Sequence, residues 1–417
     1  MRKLLVLGGG AAGTMIVNRL SRKLPSNEWQ ITIVDKDDDH HYQPGYLFVP
    51  FGYYNRHDIV RPRSDFLPDS VRLVLSEVDR IHPDAKEVTL VDGSVLSYDY
   101  LVIATGVGPR PDQTPGMLGP EWRKSIFDFY TLEGAEALHD ALLHFKGGRI
   151  AVHVTETPIK CPPAPLEFAF LLDSWLTRHH RRAGSTITFV TPLDGAFTRP
   201  IASRQLGAML RARNIKLETD FVIERVDDEA KKLVSYDERE VPFDLLVTVP
   251  VNMGADYIAR SGLGDDLNCV PVDPKTNLST QYPEIFALGD ACNIPTSKAG
   301  SVAHFSVEVF VDNFLDYVAG RSMTAQFDGH ANCVVEAGGD KAIVLDFNYA
   351  TEPLPGKFPV PVLGPLSLLE ETRVNHLAKL AFRRLYWSAL LRGRPLPLTT
   401  HMSMAGKHVP AELAKGA

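Results

Sequence analysis

The first 35 residues constrain this chain most. An apolar run, Leu4-Leu5-Val6-Leu7, has the length of a buried strand and passes directly into Gly8-Gly9-Gly10-Ala11-Ala12-Gly13. A stretch with helical spacing follows from Thr14 to Leu24, with Ile16, Val17 and Leu20 on one side. A second apolar run, Ile31 to Val34, ends on Asp35. Strand, G-x-G-x-x-G, helix, strand and acid is the order of a dinucleotide-binding βαβ unit. Gly8 permits the tight turn, Gly10 lets backbone approach a pyrophosphate, and Gly13 lets helix and strand pack closely, with Ala12 the small residue between them. The helix N-terminus offers free N–H groups to phosphate oxygens. Asp35 stands where a carboxylate accepts from a ribose hydroxyl. A nucleotide site at Gly8, Gly10, Ala12, Gly13 and Asp35 is the expectation.

A chain of 417 residues has room for two or three domains. A net charge of −7 gives no basic field for nucleic acid. The N-terminus enters a strand at once, so no secretory leader is expected. No apolar run reaches the roughly 18 residues of a membrane span. Four cysteines, Cys161, Cys269, Cys292 and Cys333, are too few for a disulfide scaffold. Those that matter are expected to be catalytic or redox-active rather than structural.

Further along, Tyr42 to Tyr54 is rich in aromatics and reads equally as buried rings or as a wall beside a flat ligand. Two short runs around Asp92-Gly93 predict a hairpin. The next run, Tyr100 to Ile103, ends in Ala104-Thr105-Gly106, a small-residue corner. Pro109 to Pro120 reads as a boundary loop. A helix is predicted from Thr131 to Phe145, and Gly148 to Val154 starts a second βαβ unit. Where a second glycine fingerprint could stand, the segment Thr155 to Pro165 has four prolines and no glycine. Its helix is expected to begin near Pro163 to Pro165, because proline is tolerated only in a first turn. A short strand stops at Gly289-Asp290, and a helix is expected after Gly300. Strand-like runs at 332–336 and 342–349, a Pro-rich link at 353–365 and a helix from about Glu371 to Arg392 close the chain.

The fingerprint, Ala104-Thr105-Gly106 and Gly289-Asp290 together resemble the two-dinucleotide-domain flavoproteins of the disulfide-reductase superfamily. The resemblance implies an α/β fold with two Rossmann-like domains and a C-terminal region facing membrane and quinone. The expected division is 1–110 and 251–330 for the FAD domain, 111–250 for the second Rossmann-like domain, and 331–417 for the C-terminal region. It implies FAD, with Asp290 on the ribitol or pyrophosphate. Within the superfamily, Cys161-Pro162-Pro163-Ala164-Pro165-Leu166-Glu167 looks like the sulfide:quinone oxidoreductases and the flavocytochrome c sulfide dehydrogenases. There a cysteine at this place pairs with a second across the flavin, and Cys333 stands where that second one belongs. The segment Lys379 to Trp387 is similar to the C-terminal part of the quinone-linked members. Ser125 to Thr131 lacks the third cysteine that many of them carry, which puts the handling of polysulfur in doubt.

The implied chemistry has sulfide attack an oxidised Cys161–Cys333 pair, one cysteine leaving as thiolate and passing electrons to FAD. A helix N-terminus and Lys160 are expected to lower the Cys161 pKa. Glu167, placed two turns into the helix, is expected to move protons or to hold an anionic intermediate off. Lys298 or Lys379 is a candidate for the charge near the flavin pyrimidine. The basic stretch from Arg373 to Arg394, with Leu377, Leu380, Ala381, Trp387 and Leu391 near helical spacing, reads as an amphipathic helix at a membrane surface or as a docked structural helix. The expected partners are sulfide and a quinone, on the cytoplasmic face of the plasma membrane; self-association stays open. The rival readings are a type II NADH:quinone dehydrogenase-like flavoprotein and a flavin-binding protein without turnover.

Overall fold

A computed structural model describes residues 1–360, 363–396 and 398–409. Two residues of the Pro-rich link (361 and 362), residue 397, and the last part of the expected C-terminal region (410–417) lie outside the described residues.

The strand Arg2–Leu7 is apolar on both faces from Leu4 onward, and all four of those side chains are buried. Such a strand belongs inside a parallel sheet covered on both sides. The first sheet runs Ile285–Ala287, Tyr100–Ile103, Arg2–Leu7, Trp29–Asp35, Val71–Leu75, every pair parallel. Its fingerprint helix, Ala11–Leu20, packs against helix Gly300–Val318. The second sheet, also parallel, runs Ile126–Phe127, Leu245–Val249, Gly148–Val154, Ser185–Val190, Ile215–Glu218. The first sheet thus takes its edge strand, Ile285–Ala287, from beyond the whole second sheet. An antiparallel ribbon, Val107–Arg110 with Val251–Gly254, connects the two stretches.

The helix predicted from Thr131 spans Leu132–His144, with the Thr131 hydroxyl accepting from Gly134 N at 3.0 Å. The proline-led helix spans Ala164–Arg178. It lies across strand Ala331–Gly338 of a four-stranded sheet completed by Lys341–Phe347, Gly364–Leu368 and Gly356–Val360. Gly338 makes that crossing close: its φ is +73°, and a Cβ there would stand 2.6 Å from the Phe170 carbonyl oxygen. The crossing brings the Cys161 loop to the strand that carries Cys333.

The C-terminal helix is Arg373–Leu385, and a π-turn, Tyr386–Leu390, follows it. The expected single apolar stripe is therefore split, because a π-turn shifts the face each later residue presents. Trp387 and Leu391 are buried, Trp387 stacking on Phe66 at 5.2 Å, whereas Leu377 is 61% exposed. The helix turns Asn375 and His376 inward and Val374 and Leu377 outward. Among the described residues no helix is long and apolar enough to cross a membrane.

Candidate active site

The glycine loop is built as its residue types require. Gly8 has φ +96°, and a Cβ on it would lie 2.5 Å from the Ala104 carbonyl oxygen. A Cβ on Gly13 would fall onto the Gly8 carbonyl oxygen, while one on Gly10 would meet nothing within 4 Å. Space at Gly10 and none at Gly8 and Gly13 is the cradle a pyrophosphate needs. No side chain caps helix Ala11–Leu20, and its first turn has no acidic residue, so its positive end stays open to an anion.

Asp35 holds the loop from the next strand. One carboxylate oxygen accepts from Gly9 N at 2.7 Å and the other from Lys36 N at 2.8 Å. The guanidinium of Arg63 lies 3.2 Å from Asp35 and donates to the Gly9 carbonyl. His40 Nδ1 stands 3.1 Å from that same carbonyl, and its Nε2 is 2.7 Å from the Tyr386 hydroxyl. Sequence reading missed both Arg63 and His40. Neither belongs to a periodic or motif pattern that would have marked it.

The two small-residue corners converge on this cradle. Ala104 and Thr105 abut Gly8, and Gly106 has φ +68° with open space beside it. A Cβ on Gly289 would touch Ala12 at 3.4 Å. Asp290 follows, its carboxyl raised by burial and pulled back by Lys298 and Lys160. Lys298 itself is buried under the corner. Its ammonium donates to the carbonyls of Asp290 (2.7 Å) and Cys292 (2.9 Å) and to the Cys269 sulfur (3.5 Å). Three N–H bonds use three partners, so Lys298 serves as an anchor of this turn rather than as a loose charge.

The cysteine loop is sewn to the same segment. Cys161 N donates to the Lys298 carbonyl at 2.6 Å, and the Cys161 carbonyl accepts from Ala164 N at 2.9 Å and from the Tyr130 hydroxyl at 3.2 Å. Cys161 adopts φ +49°, a left-handed conformation that a β-carbon disfavours. Its sulfur borders the main core, while Cys333 is buried on the adjacent strand, and all four cysteines are free thiols.

Their electrostatics correct the sequence expectation. Burial first, and then the Glu167 carboxylate, pushes the Cys161 thiol up to about 12. Burial, Cys161 and Glu167 raise Cys333 as well. Desolvation in this crevice outweighs the helix dipole. The cation that opposes it at both thiols is Lys379. Lys160 points elsewhere, to Gln43 at 3.1 Å, and burial lowers its own pKa.

Glu167 lies in the first turn of its helix, not two turns in, because the helix begins only at Ala164. It is buried, accepts from Glu336 N at 2.8 Å and from the Lys379 ammonium, and burial raises its pKa against the pull of Lys379. Lys379 also donates to the Val334 carbonyl at 2.8 Å and sits 5.6 Å above the Phe48 ring. It therefore sits at the thiol strand. In the aromatic segment Tyr42, Tyr46, Phe48 and Phe51 are core residues, which favours the buried-ring reading there.

Residues 2–304 match the family described as pyridine nucleotide-disulphide oxidoreductase. The mitochondrial sulfide:quinone oxidoreductase of Schizosaccharomyces pombe is 28% identical, over 94% of this chain and 90% of its own. That of Dictyostelium discoideum is 27% identical over 94% and 86%. The X-ray structure of the Aquifex aeolicus sulfide:quinone oxidoreductase superposes with a TM-score of 0.77 at 20% identity, covering 94% of this chain and 92% of that one.

Proposed function

The chain belongs to the pyridine nucleotide-disulphide oxidoreductase family, and from that premise we propose that it is an FAD-dependent sulfide:quinone oxidoreductase. The observation that carries the reading is one junction. Lys298 ties the Cys161 loop, through its carbonyl, to the Gly289–Asp290 corner, through its ammonium, while Cys333 lies on the strand that the helix following Cys161 crosses. Two sulfurs thus stand beside a dinucleotide cradle. The full-length similarity to enzymes named for sulfide and quinone supports it.

A flavin is the cofactor, and the glycine cradle favours FAD, because FMN has no pyrophosphate to fill it. Gly8, Gly10, Ala12 and Gly13 would hold the pyrophosphate, Asp35 the ribose, and Ala104 to Gly106 with Gly289 and Asp290 the remainder. When bound, FAD supplies a two-electron acceptor. The protein's part is played by its sulfurs. In the oxidised pair, the sulfide sulfur bonds to one cysteine, the bond between the two cysteines breaks, and the other leaves as thiolate. Joining that thiolate to the new persulfide as a sulfur-bridged pair releases one proton and two electrons. Lys379 stabilises the departing thiolate, and Glu167 is placed to take the proton.

The outer face of the C-terminal region fits a membrane-borne quinone. Val360, Leu363, Val374, Leu377 and Leu385 are 39% to 82% exposed, with Arg373 and Arg384 among them. Apolar side chains turned outward while polar ones turn inward suit a helix lying in a lipid interface. The reading places the protein peripherally, on the cytoplasmic face of the plasma membrane.

The test is an anaerobic titration of the purified yellow protein. Sulfide bleaches the flavin band, extraction yields FAD, and NADH acts slowly, since Thr155 to Pro165 offers no glycine turn for a second dinucleotide. Rapid bleaching by NADH with none by sulfide would overturn the reading in favour of an NADH dehydrogenase.

A further inference from the structure

The Gly9–Gly10 peptide lies between two residues without side chains. Glycine turns freely about both backbone angles, so this peptide takes a fixed direction only if something outside the loop holds it. Its carbonyl is the handle. It accepts from the Thr14 hydroxyl at 2.9 Å, from the Arg63 guanidinium, and from His40 Nδ1, 3.1 Å away. A trans peptide carries its C=O and N–H on opposite sides. The three donors on the Gly9 carbonyl therefore turn the Gly10 N–H away from themselves, and Gly10 has open space beside it. That N–H is the kind of group a pyrophosphate oxygen needs.

One of the three donors is governed from the far end of the chain. His40 is 1% exposed, and burial first and Arg63 second lower its pKa to about 3, so its ring is neutral and carries a single N–H. A carbonyl only accepts, which puts that N–H on Nδ1. Nε2 is left as an acceptor, and the Tyr386 hydroxyl, 2.7 Å away, donates to it. Tyr386 thereby selects the tautomer that grips the loop. It opens the π-turn after helix Arg373–Leu385, and the residues around it are clamped to the same surroundings. Trp387 stacks on Phe66 with the Arg61 guanidinium 4.8 Å from its ring. The Phe66 carbonyl accepts from Asn18 of the fingerprint helix at 2.7 Å. Arg22, just past that helix, donates to the carbonyls of Arg392 and Gly393. A Cβ on Gly393 would stand 2.9 Å from the Arg19 side chain.

We propose that the segment 386–394 is a positioning element for the cofactor: through Tyr386 and His40 its docking sets the Gly9–Gly10 peptide, so that docking of the segment and binding of FAD strengthen each other. The inference rests on the FAD of the function proposed above, and not on sulfide as the electron donor. His40 acts through the Gly9 carbonyl, and Tyr386 acts through His40. Coupling of this kind is reciprocal: the factor by which the docked segment tightens FAD is the factor by which FAD tightens the segment.

The test uses purified holoenzyme, wild type beside Tyr386→Phe and Tyr98→Phe. Tyr386→Phe keeps the ring and removes only the hydroxyl. Tyr98 is the control. It is 3% exposed, its hydroxyl has no partner among the described residues, and it packs in a separate cluster with Leu101 and Ile103. The fluorescence of freed FAD after dilution reports release. Tyr386→Phe releases FAD roughly three- to tenfold faster than wild type, the value of one hydrogen bond, and Tyr98→Phe releases it at the wild-type rate. Trypsin reads the other half. Cleavage after Arg384 and Arg392 follows the open population of the segment. Free FAD added to dilute holoenzyme slows that cleavage in wild type, and at equal flavin occupancy slows it severalfold less in Tyr386→Phe. A merely structural tyrosine would speed cleavage by one factor at every occupancy. Wild-type flavin release in Tyr386→Phe, or protection by FAD that survives undiminished in it, overturns the coupling alone. Wild type that carries no FAD and binds none when it is added overturns the functional reading, and the coupling with it.

Discussion

Cys161 hangs its backbone N–H on the carbonyl of Lys298 at 2.6 Å, while the ammonium of the same lysine is buried against the carbonyls of Asp290 and Cys292. One residue thereby fixes both the Cys161 loop and the Gly289–Asp290 corner. Replacing Lys298 with Met leaves two buried carbonyls without a donor, at about 1–3 kcal/mol each. The expected result is a lower unfolding midpoint together with faster loss of flavin on dilution. A variant of unchanged stability whose flavin potential alone moves would instead show that the ammonium faces the flavin ring.

The thiol of Cys161 is held up to about 12, by burial first and by Glu167 second. The thiolate is the nucleophile, so a raised pKa means little reactive form at pH 7. Alkylation of Cys161 in the reduced protein should be slow at neutral pH and climb about tenfold per pH unit, with no plateau below pH 10. Glu167→Gln removes a negative neighbour and frees Lys379, both of which favour the thiolate. Its curve should shift to lower pH. Mass-spectrometric rates of iodoacetamide labelling decide this, and a wild-type plateau near pH 8 would mark an ordinary thiol.

The cysteine pair itself is separable from flavin binding. Cys161→Ser and Cys333→Ser should each abolish bleaching by sulfide while retaining FAD, because neither side chain belongs to the glycine cradle. Cys292→Ser and Cys269→Ser should be mild, since these sulfurs accept or donate only weak bonds around the Lys298 anchor. Stopped-flow bleaching with stoichiometric sulfide measures it. Retention of most of the rate in Cys161→Ser would remove the disulfide chemistry from the mechanism.

Gly338 tests the crossing that unites the site. Its φ of +73° and the 2.6 Å approach of a hypothetical Cβ to the Phe170 carbonyl leave no room for alanine. Gly338→Ala should cost about 1–3 kcal/mol in strain and push the Cys333 strand off helix Ala164–Arg178. Oxidative coupling of Cys161 to Cys333 should slow along with the loss of stability. Coupling at the wild-type rate would mean that the strand does not set the distance between the thiols.

How much of this was legible beforehand depends on the range of the force involved. Gly8, Gly13, Asp35 and the proline-led start at Ala164 are local steric demands, and residue type records those directly. The Cys161 and Cys333 positions were read through a resemblance. Arg63 and His40 left no trace, because each reaches the glycine loop from a remote stretch of the chain: Gly9 is 54 positions from Arg63 and 31 from His40. The direction of the Cys161 shift was misread for a related reason. Helix start and lysine neighbour are visible in a sequence, whereas desolvation belongs to the packed crevice.

The last prediction concerns the inverted helix. Helix Arg373–Leu385 buries Asn375 and His376 and leaves Leu377 61% exposed and Val374 48% exposed. In water alone this arrangement gains nothing from its apolar face, so a lipid surface is the medium that would reward it. Leu377→Asp should leave the fold intact, because the side chain packs against little. It should weaken binding to vesicles of mixed neutral and anionic lipid by about 2 kcal/mol, the value of one buried leucine, or roughly thirtyfold. Val222→Asp, at a similarly exposed position of 52% far along the second unit, serves as the control and should bind like wild type. Raising salt should weaken wild type further, since Arg373 and Arg384 meet the anionic headgroups. Co-sedimentation measures all three. If Leu377→Asp and Val222→Asp bind alike, the helix is a structural cap, and the quinone must reach the crevice by another face.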